Sequence, residues 1–331
     1  MLFKSSMFDT KITRLLNIKY PILGGAMMSI SKAEFVAAIS NAGALGILTS
    51  AIYQTAEEFS AAIDLIQATT DKPFAVNINL FPSMRPVDNE VYVGIMIEKG
   101  VKIVETSGHA APEKLSKMFK QAGMIWLHKC VGVRYAKKAE SLGADAITVV
   151  GYENGGATGK LDIGTLVLIP TVVDAVNIPV TGGGGIADGR GLVSVLAAGA
   201  DAAIIGSRLM MTKECPIHND LKHAFVKASE LDTTLVMRSI GSTHRVWNNQ
   251  AAKNCMEAEQ NGASFEQLLP IIAGDNARRM FAEGDLTAGL VSLSQSVGLA
   301  HDIPSVKELL DRIMQQAQQS VQRLNGQLLS H

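Results

Sequence analysis

The chain has 331 residues, is 47% hydrophobic, and carries 30 basic and 31 acidic residues for a formal net charge of −1. That much apolar sequence can bury a large core, and one α/β barrel of about 250 residues fits within it. The balanced, well-mixed charge excludes a basic nucleic-acid stripe and a charged disordered tail.

The first 21 residues are too polar for the apolar centre of a signal peptide, and no run of eighteen apolar residues follows to span a membrane. Short apolar runs then alternate with amphipathic stretches. Strands are predicted at 21–25, 44–48, 74–80, 103–106, 124–129, 146–150, 178–181 and 202–206, starting roughly 21 to 32 residues apart, the length of a βα unit. Helices are predicted between them, at 32–41, 56–68, 111–121 and 133–142 among others. The strands are nearly continuous apolar runs, as in a parallel sheet covered on both faces. Eight such units predict a closed (β/α)8 TIM barrel. Such barrels carry their chemistry at the C-terminal strand ends, where this sequence has Gly24, Gly25, Asn77, Glu105, Lys129, Glu153, the run Gly182 to Gly185, Gly206 and Ser207.

Beyond Thr212 the pattern changes. Residues 213–290 read as helices with polar faces, broken at Gly262, Pro270 and Gly274, and are expected to form a helical subdomain over the barrel mouth. Residues 1–212 and 291–331 then make up the barrel domain. A long polar helix is expected over 305–329, opening on Ser305 with Glu308 at capping-box spacing. Cys130, Cys215 and Cys255 lie far apart with no CxxC pair, so neither a disulfide framework nor a zinc site is expected, and reduced cytoplasmic thiols are the simple reading.

Four glycines, Gly182 to Gly185, join the seventh predicted strand to a helix, and Gly206-Ser-Arg follows the eighth. These paired turns are the recurrent phosphate site of such barrels: glycine admits close backbone approach, and the amides point at the anion. A barrel lyase or isomerase binding a phosphate without a flavin would share both turns.

Several runs resemble the nitronate monooxygenase family (older name 2-nitropropane dioxygenase), which includes FMN-dependent enoyl-acyl-carrier-protein reductases. They are Pro21-Ile-Leu-Gly-Gly-Ala-Met, Ala75-Val-Asn-Ile-Asn-Leu, His128-Lys-Cys, Gly182-Gly-Gly-Gly-Ile-Ala-Asp-Gly-Arg-Gly and Thr212-Lys-Glu-Cys-Pro-Ile-His. Asn79-Leu-Phe-Pro-Ser-Met-Arg-Pro-Val and Met237-Arg-Ser resemble the branch that holds a bacterial NADH:quinone reductase. The resemblance implies FMN held by Gly25, Ala26, Met27, Asn77, Lys129, Gly156, Gly183, Gly184, Gly185, Gly206 and Ser207. In it Lys129 lies near the pyrimidine side of the ring, where a cation stabilises reduced flavin. His128, one residue earlier on a strand, faces away and reads as structural. Pro82 and Met84 fall in a loop that contributes to nicotinamide-nucleotide binding in that branch, and Met27, Met28 and Met84 offer soft surfaces for planar substrates.

One position departs from the family pattern. In Gly151-Tyr-Glu-Asn-Gly-Gly-Ala-Thr-Gly-Lys, Ala157 stands where many members have a histidine that takes a proton from substrate or orients it. Alanine can do neither, which lowers the expectation of neutral nitroalkane oxidation and leaves anionic nitronates and reductase chemistry open. Glu153 and Asn154 are the polar candidates remaining in that loop. The sequence therefore predicts an FMN-dependent oxidoreductase of the nitronate monooxygenase type, cycling between a donor and oxygen. NAD(P)H:quinone reduction and enoyl-thioester reduction are the alternatives, with NAD(P)H an optional co-substrate. The expected partners are small molecules, with no nucleic acid or membrane span, and assembly as a homodimer is left open.

Overall fold

The computed structural model describes residues 8–81, 87–108 and 110–328. Among them, eight parallel strands form one sheet: β1 (Ile22–Gly24), β2 (Gly46–Thr49), β3 (Phe74–Asn79), β4 (Ile103–Ser107), β5 (Ile125–Cys130), β6 (Ala146–Val150), β8 (Val180–Gly183) and β9 (Ala202–Ile205), with β7 (Gly156–Ala157) set apart from them. Their order is β1-β9-β8-β6-β5-β4-β3-β2. Gly24 N donating to Leu45 O and Leu45 N donating to Ile22 O join the two edges and close the barrel. Closure leaves no free sheet edge.

The period of two along each strand divides the core. Inward residues Leu23, Ile47, Ala75, Ile103, Leu127, Ala146, Ala202 and Ile204 fill the barrel, and helix α1 (Lys11–Leu16) plugs its base with Ile12 and Leu16. Outward residues such as Val76, Val104, Trp126, Ile147 and Ala203 meet the surrounding helices. These are α2 (Ala33–Asn41), α3 (Ala56–Thr69), α4 (Asn89–Glu98), α5 (Glu113–Gln121), α6 (Val133–Ser141), α7 (Thr165–Val173) and α8 (Gly189–Ala197). Their starts are set by local caps: Thr55 and Glu58 form a capping box on α3, and Asp188 accepts from the amides of Arg190 and Gly191 on α8. After the short α9 (Ser207–Met210), the chain leaves the barrel and returns as α14 (Val306–Asn325), which packs on α8. Its start is the predicted Ser305–Glu308 capping box.

The segment 213–290 is not all helical, as the sequence had suggested. Between α10 (Asn219–Lys227) and α11 (Gln250–Gln260) lies an antiparallel hairpin, β10 (Thr233–Val236) and β11 (His244–Trp247). Alternating short runs flanking a turn with Gly241 carry that hairpin, and the polar character of the segment had masked it. One predicted break also differs: Pro270 lies inside α12 (Phe265–Ile272). The helices do break at Gly262, left-handed just beyond α11, and at Gly274, which opens α13 (Gly274–Glu283) after α12 has ended. Strand β11 pairs with β7, so residues far apart in the chain form one three-stranded sheet. Among the described residues no helix is long and apolar enough to cross a membrane.

Candidate active site

Three neighbouring strands build a polar layer above the apolar barrel fill. Two residues beyond Ala75, Ile103 and Leu127 stand Asn77, Glu105 and Lys129, which the period of two turns inward as well. Glu105 is completely buried and would be costly as an isolated carboxylate. Asn77 Nδ2 donates to its Oε2 at 2.6 Å, and Lys129 Nζ lies 3.3 Å from the same oxygen. Asn77 Nδ2 also reaches Ser107 Oγ at 3.2 Å, which leaves the amide oxygen as the less committed half of Asn77, with only a 3.5 Å contact from Ser107. The Lys129 side chain keeps 21% exposure, so an ammonium anchored from below still presents donors at the mouth. Glu105 Oε1 and the Oγ1 atoms of Thr148 and Thr181 find no partner among the described residues.

The opposite rim is made of backbone. Beyond β8, Gly184 and Gly185 take φ of +103° and +76°, which L side chains rarely adopt. Among the described residues, the amides of Gly184, Gly185, Gly206 and Ser207 donate to no protein acceptor. A Cβ at Gly206 would meet nothing closer than Met27 Sδ at 3.7 Å, so the space above that turn is open. Free amides on two neighbouring turns suit a phosphate, and the Glu153 side chain beside Gly185 is turned to Thr165. Gly25 N is tied to Ile205 O at 2.8 Å, Ala26 packs on the barrel fill, and Met27 N donates to Ser31 Oγ at 2.9 Å. Gly183 plays another part. Its missing Cβ would lie 2.3 Å from Ile204 Cγ2, so it serves packing. A cleft of about 450 Å³ opens on the outer flank of Gly184 and Gly185, bounded by Thr165, Ser296 and Leu299.

The loop after β6 spans from this rim toward β5. Gly151 N donates to Gly183 O at 2.9 Å, and a Cβ at Gly159 would lie 2.9 Å from Val131, beyond the Lys129 strand end. Midway, Ala157 pairs with His244 and Gly156 with Arg245 across the small sheet. Gly156 has φ of +91° and is buried against Ser292. The Arg245 guanidinium lies 4.6 Å from the Tyr152 ring centroid, and its Nε donates to Tyr152 O at 3.1 Å. Ser294 ties the amide rim to this loop: its amide donates to Ser207 Oγ at 2.8 Å and its hydroxyl to Glu153 O at 2.6 Å.

The family model for nitronate monooxygenase matches residues 9–316. The chain belongs to the nitronate monooxygenase family. Among its relatives, a 5-hydroxy-7a-methyl-1-oxo-octahydro-1H-indene-4-carboxyl-CoA dehydrogenase of Rhodococcus jostii is 31% identical, covering 97% of this chain and 99% of its own. A probable nitronate monooxygenase of Staphylococcus saprophyticus is 30% identical over 73% of this chain and 79% of its own. The solved structure of FabK from Thermotoga maritima superposes with a TM-score of 0.89 at 34% identity, covering 97% of this chain and all of that one. The fold is also shared with nitroalkane oxidase from Streptomyces ansochromogenes, at TM-score 0.82 and 22% identity over 95% and 99% of the two chains.

Within this nitronate monooxygenase barrel, the sequence-predicted residues fall into two groups. Asn77 and Lys129 meet in the polar layer, and Gly184, Gly185, Gly206 and Ser207 meet at the amide rim. Glu153 and Asn154 are otherwise engaged. The Glu153 carboxylate accepts from Thr165 N at 3.0 Å and Thr165 Oγ1 at 2.7 Å, capping α7, and Asn154 Nδ2 donates to Ala157 O at 3.1 Å. Pro82 and Met84 lie outside the described residues. His128 faces the outer layer, fully buried, with Nδ1 2.8 Å from the Thr106 hydroxyl, which also accepts from Trp126 Nε1. Burial, aided by the Lys129 charge, pulls its pKa down to about 4. Sequence reasoning missed His244, Arg245 and Ser294, which reach the site only through the hairpin and the return of the chain. The alternation in Thr243-His-Arg-Val-Trp was the available signal.

Proposed function

We propose that this protein is an FMN-dependent oxidoreductase that exchanges electrons with a carbon next to a strongly electron-withdrawing group, with alkyl nitronates as donors and oxygen as acceptor. The observation that carries the reading is the pairing of an amide rim with a polar layer across one barrel mouth. The free amides of Gly184, Gly185, Gly206 and Ser207 suit a phosphate dianion. Asn77 offers an amide oxygen and Lys129 a cation anchored by Glu105, a donor and acceptor set suited to the edge of an isoalloxazine. The residues present therefore fit FMN, which when bound supplies a two-electron acceptor for hydride.

The chain's own residues do the rest. The Lys129 ammonium, held by a carboxylate below it, favours negative charge that builds on the ring side facing it. Asn77 is oriented by two fixed bonds to Glu105 and Ser107, so its oxygen is presented at no further rotamer cost. Met27, beside Gly206, lines the mouth with a soft apolar surface for substrate. A thioester-activated carbon is the second reading, favoured by the near full-length match to the carboxyl-CoA dehydrogenase.

Anaerobic mixing of the flavin-loaded protein with ethylnitronate, an acyl-CoA, NADH and NADPH tests the assignment, read as bleaching of the flavin. Ethylnitronate should bleach it, and oxygen should restore the colour. Bleaching by NADH or NADPH alone, followed by reoxidation with a quinone, would replace this reading with a nucleotide:quinone reductase.

A further inference from the structure

The place left by Ala157 is not without an imidazole. His244 is its direct partner across the β7–β11 pair, and Thr158 N donates to Thr243 O at 3.2 Å. A bond between the residues flanking the pair makes Ala157 and His244 a non-hydrogen-bonded pair, the kind whose Cβ atoms approach most closely, and it sets both side chains on one face. A small residue at 157 leaves room there for the ring from 244. The same face continues through Val246 and Val236, both buried under α11 and α12. His244 stands at the end of that row and is only partly buried. That end of the sheet lies at the β7 edge, where Gly159 leans on Val131 beyond Lys129.

The ring is also oriented. Nδ1 lies 2.8 Å from Ser242 O, a carbonyl that can only accept, so Nδ1 carries the hydrogen and Nε2 keeps its lone pair. Burial lowers the His244 pKa, opposed by the Ser242 bond, so the imidazole is neutral near pH 7. The charged groups on flanking elements are bound elsewhere or lie over backbone. Arg238 pairs with Asp162, Glu259 of α11 takes the amides of Met237 and Ser239, and Lys160 lies over Gly241.

We propose that His244 is the proton acceptor for neutral carbon-acid substrates, an imidazole supplied from across the strand pair in place of one at position 157. The inference rests on the function proposed above and extends it from nitronates to their neutral parents. In the step, Nε2 takes the proton from the carbon bearing the nitro group. The C–H bond breaks, an N–H bond forms, and the electron pair moves onto the nitro oxygens, leaving a nitronate and an imidazolium that returns its proton to solvent. No further oxidant or reductant enters this step.

Nitroethane and ethylnitronate differ by that one proton and separate the possibilities in the flavin-loaded protein. His244→Gln should lower kcat/KM for nitroethane about 100-fold, and at least tenfold more than it lowers that for ethylnitronate. The wild-type nitroethane profile should rise with pH through one ionisation that the variant lacks. Moving the ring across the pair, in a variant combining His244→Ala with Ala157→His, should restore at least a tenth of the nitroethane rate. Equal losses on both substrates, or none on nitroethane, overturn the proposal. An activity-independent readout is the ¹⁵N imidazole spectrum, in which the His244 signals are identified by their loss in His244→Gln. Nitroethane should shift the Nε2 resonance, and an unmoved resonance at concentrations that perturb the flavin spectrum sinks the imidazole's role. Failure of ethylnitronate to bleach wild-type flavin counts against the nitronate reading, while the nitrogen spectrum still decides on His244.

Discussion

The two sides of the barrel mouth are built by different means. One rim is backbone: a few consecutive residues after β8 and β9 present free amides, and hardly a side chain takes part. The wall that runs on from it, from Tyr152 to Ala157 with His244 and Arg245, is assembled from segments roughly ninety residues apart and depends on side chains meeting across a small sheet. A rim of amides can hold any phosphorylated ring and says little about substrate. A wall of side chains can change without disturbing the rim, so under the proposed function the one would set the cofactor and the other the reaction.

The comparison breaks first at the rim. Gly184→Val should abolish FMN retention, because φ is +103° there and a Cβ would lie 2.6 Å from Thr165 Oγ1. Gly206→Ala separates fold from binding. Its methyl meets only Met27 Sδ at 3.7 Å, so the apoprotein melt by circular dichroism should stay unchanged while FMN affinity falls about 100-fold. Normal flavin stoichiometry in Gly206→Ala would refute the amide cradle. In the polar layer, Lys129→Met strands the buried Glu105 carboxylate and should cost about 3–5 kcal/mol by chemical denaturation. Glu105→Gln in the same background should recover much of it.

His128 gives a pH signature outside the mouth. Its folded pKa of about 4 lies below the ordinary 6.5, so the unfolded chain takes up the proton first. The stability it contributes is complete above about pH 6.5 and is lost as pH falls toward 4, a change on the order of 3 kcal/mol. Denaturation curves across that window should flatten in His128→Gln. The smallest effect is expected on the wall's outer edge. Arg238 and Asp162 are both about half exposed, and Arg238→Ala should shift stability by less than about 1 kcal/mol. A larger loss would mean that the hairpin is held by this ion pair more than by its strand pairing.

Much of the barrel is legible in the sequence. Strand 146–150 matches the structure residue for residue, and the others shift by one or two positions at their ends, because apolar runs bounded by glycine and amphipathic helices state their own identity. The inward turn of Asn77 and Lys129 was legible through the period of two. The hairpin of 233–247 was not, since its strands are short and half polar and gain stability only by pairing with each other and with β7. The roles of Glu153 and Asn154 were hidden too, because whether a loop carboxylate faces substrate or caps a neighbouring helix depends on what packs beside it.

By itself, the sequence determined the βα alternation, the apolar fill, the capping boxes and the two glycine turns, all of which follow from residues within one turn or one strand of each other. Tertiary structure alone decided that Glu105 anchors Lys129 and Asn77, that Ser294 joins the amide rim to the loop after β6, and that His244 stands opposite Ala157. Those contacts join residues 24 to 141 positions apart, and local propensity carries no information about which distant side chains a closed barrel will bring together.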